Sequence, residues 1–223
     1  MTSWIVSVLI GFSESLLVAS IGIRYWRRYT RGEKAFVGLM AYDTVGIVIG
    51  AFLAYYYHNN IIMSHIFSIV SVGLLSIYFQ KYLTDKTAKK ILYWFPFVYA
   101  VLNVSMIVGV TGVFNDSPFG YAIRGLFVIV FGTIALSEVV TAHDNYFRNG
   151  NFWIIVGLLF FYTLNMGYLT MSYWLIKTDS ELTMIFHAVL QYSYHIAIIL
   201  YAVGLWLLAK ERAVPLKTSE ETF

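Results

Sequence analysis

Seven long apolar stretches, joined by short polar links, run through the 223-residue sequence. With a rise of about 1.5 Å per residue, each stretch is long enough to cross about 30 Å of hydrocarbon as an α-helix. Only 12% of the residues are charged, which is about half the share found in soluble domains. The sequence therefore predicts an all-α, polytopic membrane protein, a single seven-transmembrane-helix bundle followed by a cytoplasmic tail at 210–223. The predicted spans are 4–27, 35–57, 61–83, 90–113, 119–142, 152–176 and 182–209.

The basic residues predict the orientation of the bundle, because Lys and Arg are enriched in cytoplasmic links. Thirteen of the 15 lysines and arginines fall in alternate links and in the C-terminal tail. The other side has Lys177 alone, and Arg124 lies within a span. We therefore expect the N-terminus outside and the C-terminus in the cytoplasm. The thirteen are Arg24, Arg27, Arg28, Arg31, Lys34, Lys81, Lys86, Lys89, Lys90, Arg148, Lys210, Arg212 and Lys217.

Every predicted span carries at least one polar or ionisable side chain. Such residues are costly in hydrocarbon and usually face a bundle interior or a water-filled cavity. Counting from the span ends puts one group near the outer surface and a second group near mid-depth. We expect them to converge on a polar pocket within the membrane. The candidates are Glu14, Asp43, His65, Asn103, Arg124, Asn165, His187, Gln191 and His195.

The last span contains the segment FHAVLQYSYH, in which His187, Gln191 and His195 recur at steps of four. That spacing stacks three polar side chains on one stripe of a helix. An inward-facing stripe lets these groups pair, whereas lipid would leave them without partners. The stripe is therefore predicted to line the pocket, with the opposite stripe facing membrane lipid or a neighbouring subunit of a homo-oligomer.

Several chemistries are disfavoured by the residues present. The chain has no cysteine, which excludes disulfides, thiolate metal sites and cysteine catalysis. No lysine lies in the last span, so a retinal Schiff base is not expected. His187 and His195 are eight residues apart, or about 12 Å along a helix, which is too far for both to bind one zinc ion as in membrane zinc hydrolases. The basic links are short and explained by topology, so no nucleic-acid partner is expected.

Haem b is the cofactor alternative that the sequence leaves open. A bis-histidine haem requires two histidines at matched depth on facing helices. His65 and His187 lie at similar predicted depth, each about five residues inside its span. The leading expectation nevertheless has no cofactor and no metal.

Three stretches carry a family resemblance: MSHIFSIVSVGLLSIYFQKYL, FWIIVGLLFFYTLNMGYL and FHAVLQYSYHIAIILYAVGLWLL. They resemble corresponding helices of small uncharacterised bacterial membrane proteins that have seven predicted spans and a similar length. Some of those proteins are thought to neighbour signalling kinases. The resemblance rests on His65, Asn165 and His187 within apolar helices. It implies a multi-pass protein of the bacterial inner membrane with a sensory or accessory role.

Taken together, these patterns favour a non-enzymatic protein with an outward-opening intramembrane pocket for a small or lipid-like ligand. Its basic links and tail are predicted to meet a cytoplasmic or membrane-bound signalling partner. The main alternative is a transporter or proton-relay protein, because Glu14, Asp43 and His195 are suited to a carboxylate–imidazole relay.

Overall fold

The computed structural model describes residues 2–112, 118–178 and 180–213. This part of the chain is helical and contains no strand. Short 3₁₀ turns at Trp26–Arg28 and Tyr146–Arg148 lie in two of the links, and a π-helical turn at Ile107–Thr111 extends the fourth helix. The long helices are α1 Thr2–Arg24, α2 Arg31–Tyr57, α3 Ile61–Phe79, α4 Lys86–Met106, α5 Pro118–Ala142, α6 Gly150–Thr178 and α7 Ser180–Glu211.

Six helices in the described part of the chain, α2 to α7, are long and apolar enough to cross a membrane. Their surfaces carry many large apolar side chains, such as Phe97 on α4 and Ile199 on α7, which are more than half exposed. Water would oppose so much exposed apolar surface, whereas lipid accepts it. The fold is therefore that of a multi-pass helical membrane protein.

The helices form a ring in sequence order. Each helix packs against the next one, and α7 closes the ring by packing against α1. In addition, α3 packs against α5, so α4 lies towards the outside of the ring. Short links join antiparallel neighbours in such a bundle.

Local signals explain where two helices start and where one ends. Thr30 and Glu33 form a capping box at the start of α2, and Asp85 accepts a hydrogen bond from the backbone N–H of Ala88 at the start of α4. Such caps bond the free N–H groups of a first helical turn. Both helices therefore begin four residues before the predicted spans. His58 ends α2 in the left-handed conformation, with φ at 54°.

One end of the bundle, here called the basic end, contains the links 25–30, 80–85 and 143–149 and the end of α7. Contacts between α2 and the ends of α3 and α7 hold this end together. Next to it lies a sealing layer, formed by Phe36, Leu75, Tyr78 and Leu205, which are all 0% exposed. The Phe36 ring packs 5.4 Å from that of Tyr78 and 5.1 Å from that of Tyr201, so α2, α3 and α7 meet at this level.

Candidate functional site

A cavity of about 420 Å³ lies between the helices on the other side of the sealing layer. One wall is α2, where Gly46, Gly50, Ala51 and Ala54 line it. Gly46, Gly50 and Ala54 recur at steps of four and Ala51 lies beside Gly50, so the four residues lie on one side of the helix. A Cβ atom on Gly50 would meet only Asn60 Nδ2, at 3.8 Å, so the space there is open, whereas the Phe67 ring packs against Gly46. The cavity is mainly apolar, and a few polar side chains from α2, α5, α6 and α7 face it.

Asp43 is the acidic group of the cavity. The Tyr194 hydroxyl donates a hydrogen bond of 3.0 Å to its Oδ2 atom, and the Ser15 hydroxyl lies 3.5 Å from the same oxygen. Ser15 and Tyr194 are themselves joined by a 2.6 Å hydrogen bond. This triad connects α1, α2 and α7, and it holds the carboxylate in place on the α2 wall.

Arg124 is the basic group of the cavity, contributed by α5. Its guanidinium lies 5.3 Å from the ring centroid of Tyr121 and 5.6 Å from that of Tyr162. Both tyrosines also line the cavity. The Nε atom of Arg124 is buried and has no hydrogen-bond partner. Among the described residues, no carboxylate lies within 4.0 Å of this guanidinium.

Glu14 and His195 form a second polar pair on the seam between α1 and α7. Oε2 of Glu14 lies 2.6 Å from Nδ1 of His195, and the two side chains are 30% and 22% exposed. Each residue is adjacent in sequence to a member of the Asp43 triad, Ser15 or Tyr194. Neither Glu14 nor His195 lines the cavity, so the pair lies beside the cavity.

The predicted stripe of α7 is not the face that lines the cavity. His187 and Gln191 are exposed, and the α7 residues that line the cavity are Tyr194, Ile198 and Tyr201. Successive helical residues are about 100° apart, so the Tyr194 stripe is rotated from the His195 stripe. Tyrosine suits this position because its ring packs against apolar neighbours while its hydroxyl reaches Asp43. The His187 ring packs beside Tyr168 at 6.3 Å.

The other polar candidates lie elsewhere in the bundle. His65 on α3 and Asn103 on α4 are buried, and Asn165 on α6 is partly buried. None of the three lines the cavity. The Nδ2 atom of Asn103 is buried without a hydrogen-bond partner. Of the nine candidates, the cavity brings together Asp43 and Arg124.

The described residues contain no group of three histidine, cysteine or acidic side chains that could hold a metal ion. The haem alternative requires His65 and His187 to face each other across one space. His65 is buried on α3, which packs against α2, α4 and α5, whereas His187 is exposed on α7, which packs against α6 and α1. This arrangement does not form a haem pocket between them.

A buried ionic cluster at the basic end was not among the predicted sites. Glu33, whose side chain is 0% exposed, binds Arg212 through contacts of 2.6 Å and 2.8 Å and Lys81 through a contact of 2.8 Å. Thr30 donates its backbone N–H to the same carboxylate at 2.7 Å, and the Asn151 amide approaches it at 3.4 Å. The cluster joins α2 to the ends of α3 and α7 and to the start of α6.

The charges of this cluster shift the pKa values of groups that lie outside the spans. The hydrogen bonds to Glu33 raise the pKa of Arg212, so this guanidinium stays charged. Burial, with the negative charge of Glu33 adding to it, raises the pKa of Tyr29 to about 12. The Tyr29 hydroxyl therefore remains protonated and donates to the carbonyl of Leu205 at 2.9 Å. These contacts join α2, α6 and α7 at the basic end, where Lys81, Asn151 and Arg212 also line a second cavity of about 380 Å³.

Two sequence signals point to the residues that the predictions missed. Thr30 and Glu33 match the S/T-x-x-E capping-box pattern, and Glu33 is the acidic residue within a strongly basic link. The small residues of α2 at 46, 50, 51 and 54 mark the cavity wall. No comparable signal separates Tyr194 from the other 17 tyrosines of the chain.

Comparisons with protein-family models, with characterised proteins and with solved structures give no match for this chain. The functional interpretation therefore rests on the geometry of the cavity and on its polar groups.

Proposed function

We propose that this protein binds a small, lipid-like ligand in the cavity lined by Asp43 and Arg124, and that it is a non-enzymatic sensory or accessory protein. The observation that carries the proposal is the cavity itself, about 420 Å³ of mainly apolar space with two opposite charges on its walls. Ligand pockets typically enclose about 300–1,000 Å³ and combine apolar walls with a few polar groups.

The sealing layer favours a binding pocket over a transport path. On α3 the cavity ends at Ser71 and on α7 at Tyr201. The sealing layer follows, and the Glu33 cluster lies beyond it. A transport path for a ligand would need open space to continue through that layer. A ligand that enters from the other end of the bundle would stop at Tyr201.

The proposal includes seven spans, with α1 as the first, and an orientation that puts the basic end in the cytoplasm. The support is the basic composition of one set of links, which is typical of cytoplasmic loops. The cavity would then open towards the outside. The resemblance noted in the sequence would make this membrane the bacterial inner membrane.

A cytoplasmic or membrane-bound signalling partner belongs to the same proposal. Arg24, Arg27, Lys86, Lys89 and Lys90 are exposed at the basic end. Such a surface suits anionic lipid head groups or an acidic partner. A change in structure on ligand binding would be transmitted to this surface through α2 and α7. Both helices line the cavity, and the Glu33 cluster joins α2 to the end of α7.

Filling the cavity tests the proposal. A Cβ atom on Gly50 would meet only Asn60 Nδ2, at 3.8 Å, so Gly50→Leu puts a side chain into the space without a backbone clash. The protein in zwitterionic lipid nanodiscs is photolabelled with a ten-carbon alcohol that carries a diazirine, in competition with unlabelled decanol. We expect saturable labelling of α2 and α7 peptides in the wild type and at least about a tenfold weaker apparent affinity in Gly50→Leu.

Gly38→Leu is the matched control, since it makes the same change on the same helix. A Cβ atom on Gly38 meets nothing within 4 Å, and Gly38 does not line the cavity. This variant should label like the wild type. Equal labelling of the two variants would refute the proposed binding cavity.

A proton-relay protein is the second candidate, and one observation favours it. The Glu14–His195 pair and the Asp43–Tyr194–Ser15 triad lie side by side on the α1–α7 seam. Hydrogen-bonded carboxylates, imidazoles and hydroxyls of this kind conduct protons in pumps and transporters. Proton uptake by liposomes that contain the protein, with its loss in Glu14→Gln, would establish this function instead.

A further inference from the structure

We infer that the cavity selects acidic amphiphiles, and that Arg124 binds their carboxylate or phosphate group. The inference rests on the proposed function and names the chemical class of its ligand. It starts from a cation that faces a membrane cavity and has no carboxylate within 4.0 Å among the described residues.

The charge of Arg124 needs a partner. A buried arginine within a membrane span is costly, and such residues normally pair with acidic groups or carbonyls. Here the Nε donor is buried with no hydrogen-bond partner. Buried donors of this kind are rare in folded proteins. An oxyanion in the cavity would supply a negative charge in direct contact with Arg124 and the missing acceptor for its Nε donor.

The two tyrosines beside Arg124 contact its guanidinium through their rings. Cation–π contacts use the aromatic face, and the rings of Tyr121 and Tyr162 lie 5.3 Å and 5.6 Å from the guanidinium carbon. The N–H groups of a guanidinium lie in its plane and form a fork that fits carboxylate or phosphate oxygens. The rings therefore hold the guanidinium in place, and its N–H groups would donate hydrogen bonds to a ligand.

Asp43 interacts electrostatically with Arg124 without contacting it, and it orients the ligand. Its Oδ2 atom is engaged by Tyr194 and Ser15, and it forms no ion pair with Arg124 within 4.0 Å. A second anion beside Asp43 would be repelled. The acidic head group therefore binds at the α5 wall, and any hydroxyl or amine of the ligand faces the α2 wall.

Four diazirine probes with the same ten-carbon chain test the inference in nanodiscs: a carboxylate, an alkyl phosphate, an alcohol and a trimethylammonium compound. Hydrogen bonds to charged groups contribute about 1.5–3 kcal/mol, or roughly 10- to 150-fold in affinity. We expect the wild type to bind the carboxylate, the phosphate or both at least about tenfold more tightly than the alcohol, and the ammonium probe most weakly. The two anionic arms distinguish a fatty-acid-like ligand from a phospholipid-like one.

Arg124→Gln should abolish this preference and bind the acid and the alcohol equally, and Arg124→Lys should keep part of it. Retained alcohol binding shows that the variant has folded. Arg148→Gln, which removes an exposed arginine at the basic end, should keep the full preference.

Equal affinity of the wild type for the anionic probes and the alcohol would overturn the inference, whatever the variants do. So would an acid preference that persists in Arg124→Gln. In either case, alcohol labelling that remains sensitive to Gly50→Leu would leave the proposed function intact. Labelling that is insensitive to Gly50→Leu with every probe would overturn both.

Discussion

Glu33 is a buried acidic residue whose carboxylate binds several partners. Two cations, a backbone N–H and an amide surround its carboxylate. Burial of one charge is costly, and partners with good geometry offset that cost. Removal of the negative charge leaves the cations of Lys81 and Arg212 close together. The effect on stability should therefore be large for a single substitution.

We predict that Glu33→Gln lowers the free energy of unfolding by about 3 kcal/mol, the lower end of the range for a broken buried ion pair. The lower end applies because Lys81 and Arg212 are 33% and 31% exposed and can recruit water. Thermal unfolding of the purified protein in one detergent measures the change. Asp144→Asn, an exposed acidic residue at the same end, is the control. A similar melting temperature for both variants would contradict this role of Glu33.

At the scale of elements, the contact between α6 and α7 depends on two glycines. A Cβ atom on Gly204 would lie 2.6 Å from the carbonyl oxygen of Gly150 and 2.6 Å from a side-chain carbon of Ile154. Small residues allow membrane helices to approach closely, and van der Waals packing then stabilises their contact. The clash involves backbone, so α7 would have to move.

Gly204→Ala should therefore destabilise the protein by about 1–3 kcal/mol, as overpacking does elsewhere. Gly73→Ala provides the comparison, since a Cβ atom there meets nothing within 4 Å. That change should be neutral or stabilising by up to about 1 kcal/mol, because alanine favours the helix over glycine. Melting temperatures of the two variants measure the difference. An unchanged melting temperature in Gly204→Ala would mean that the α6–α7 contact is looser than described.

At the scale of the whole molecule, the orientation of the bundle is open to a direct test, because the chain has no cysteine. A single cysteine is introduced either at Asn60, between α2 and α3, or at Asp144, between α5 and α6. Both positions are exposed. A membrane-impermeant maleimide added to intact cells should label Asn60→Cys alone, and it should label both variants after lysis. Labelling of Asp144→Cys in intact cells would reverse the proposed orientation.

The helices and their approximate bounds followed from the sequence, because backbone hydrogen bonds must be satisfied within each apolar segment in a membrane. The predicted bounds differ by a few residues where polar residues form first turns, as at Arg31–Lys34. The local amino-acid composition is sufficient to predict the position of each helix and its approximate ends. The candidate residues Asp43 and Arg124 could also be predicted from the sequence, because a charged residue within an apolar span is recognisable without knowledge of the fold.

The tertiary structure decided which face of each helix lines the cavity. On α7, polar groups occupy adjacent stripes at Tyr194 and His195, so periodicity alone could not choose between them. The neighbouring helices determine which stripe faces the cavity, because Asp43 of α2 binds Tyr194 and Glu14 of α1 binds His195. The side-chain partners of Glu33, which are Lys81, Asn151 and Arg212, come from segments 48 to 179 residues away in the chain. A sequence lists which side chains need partners, but only packing between distant helices determines which of them meet.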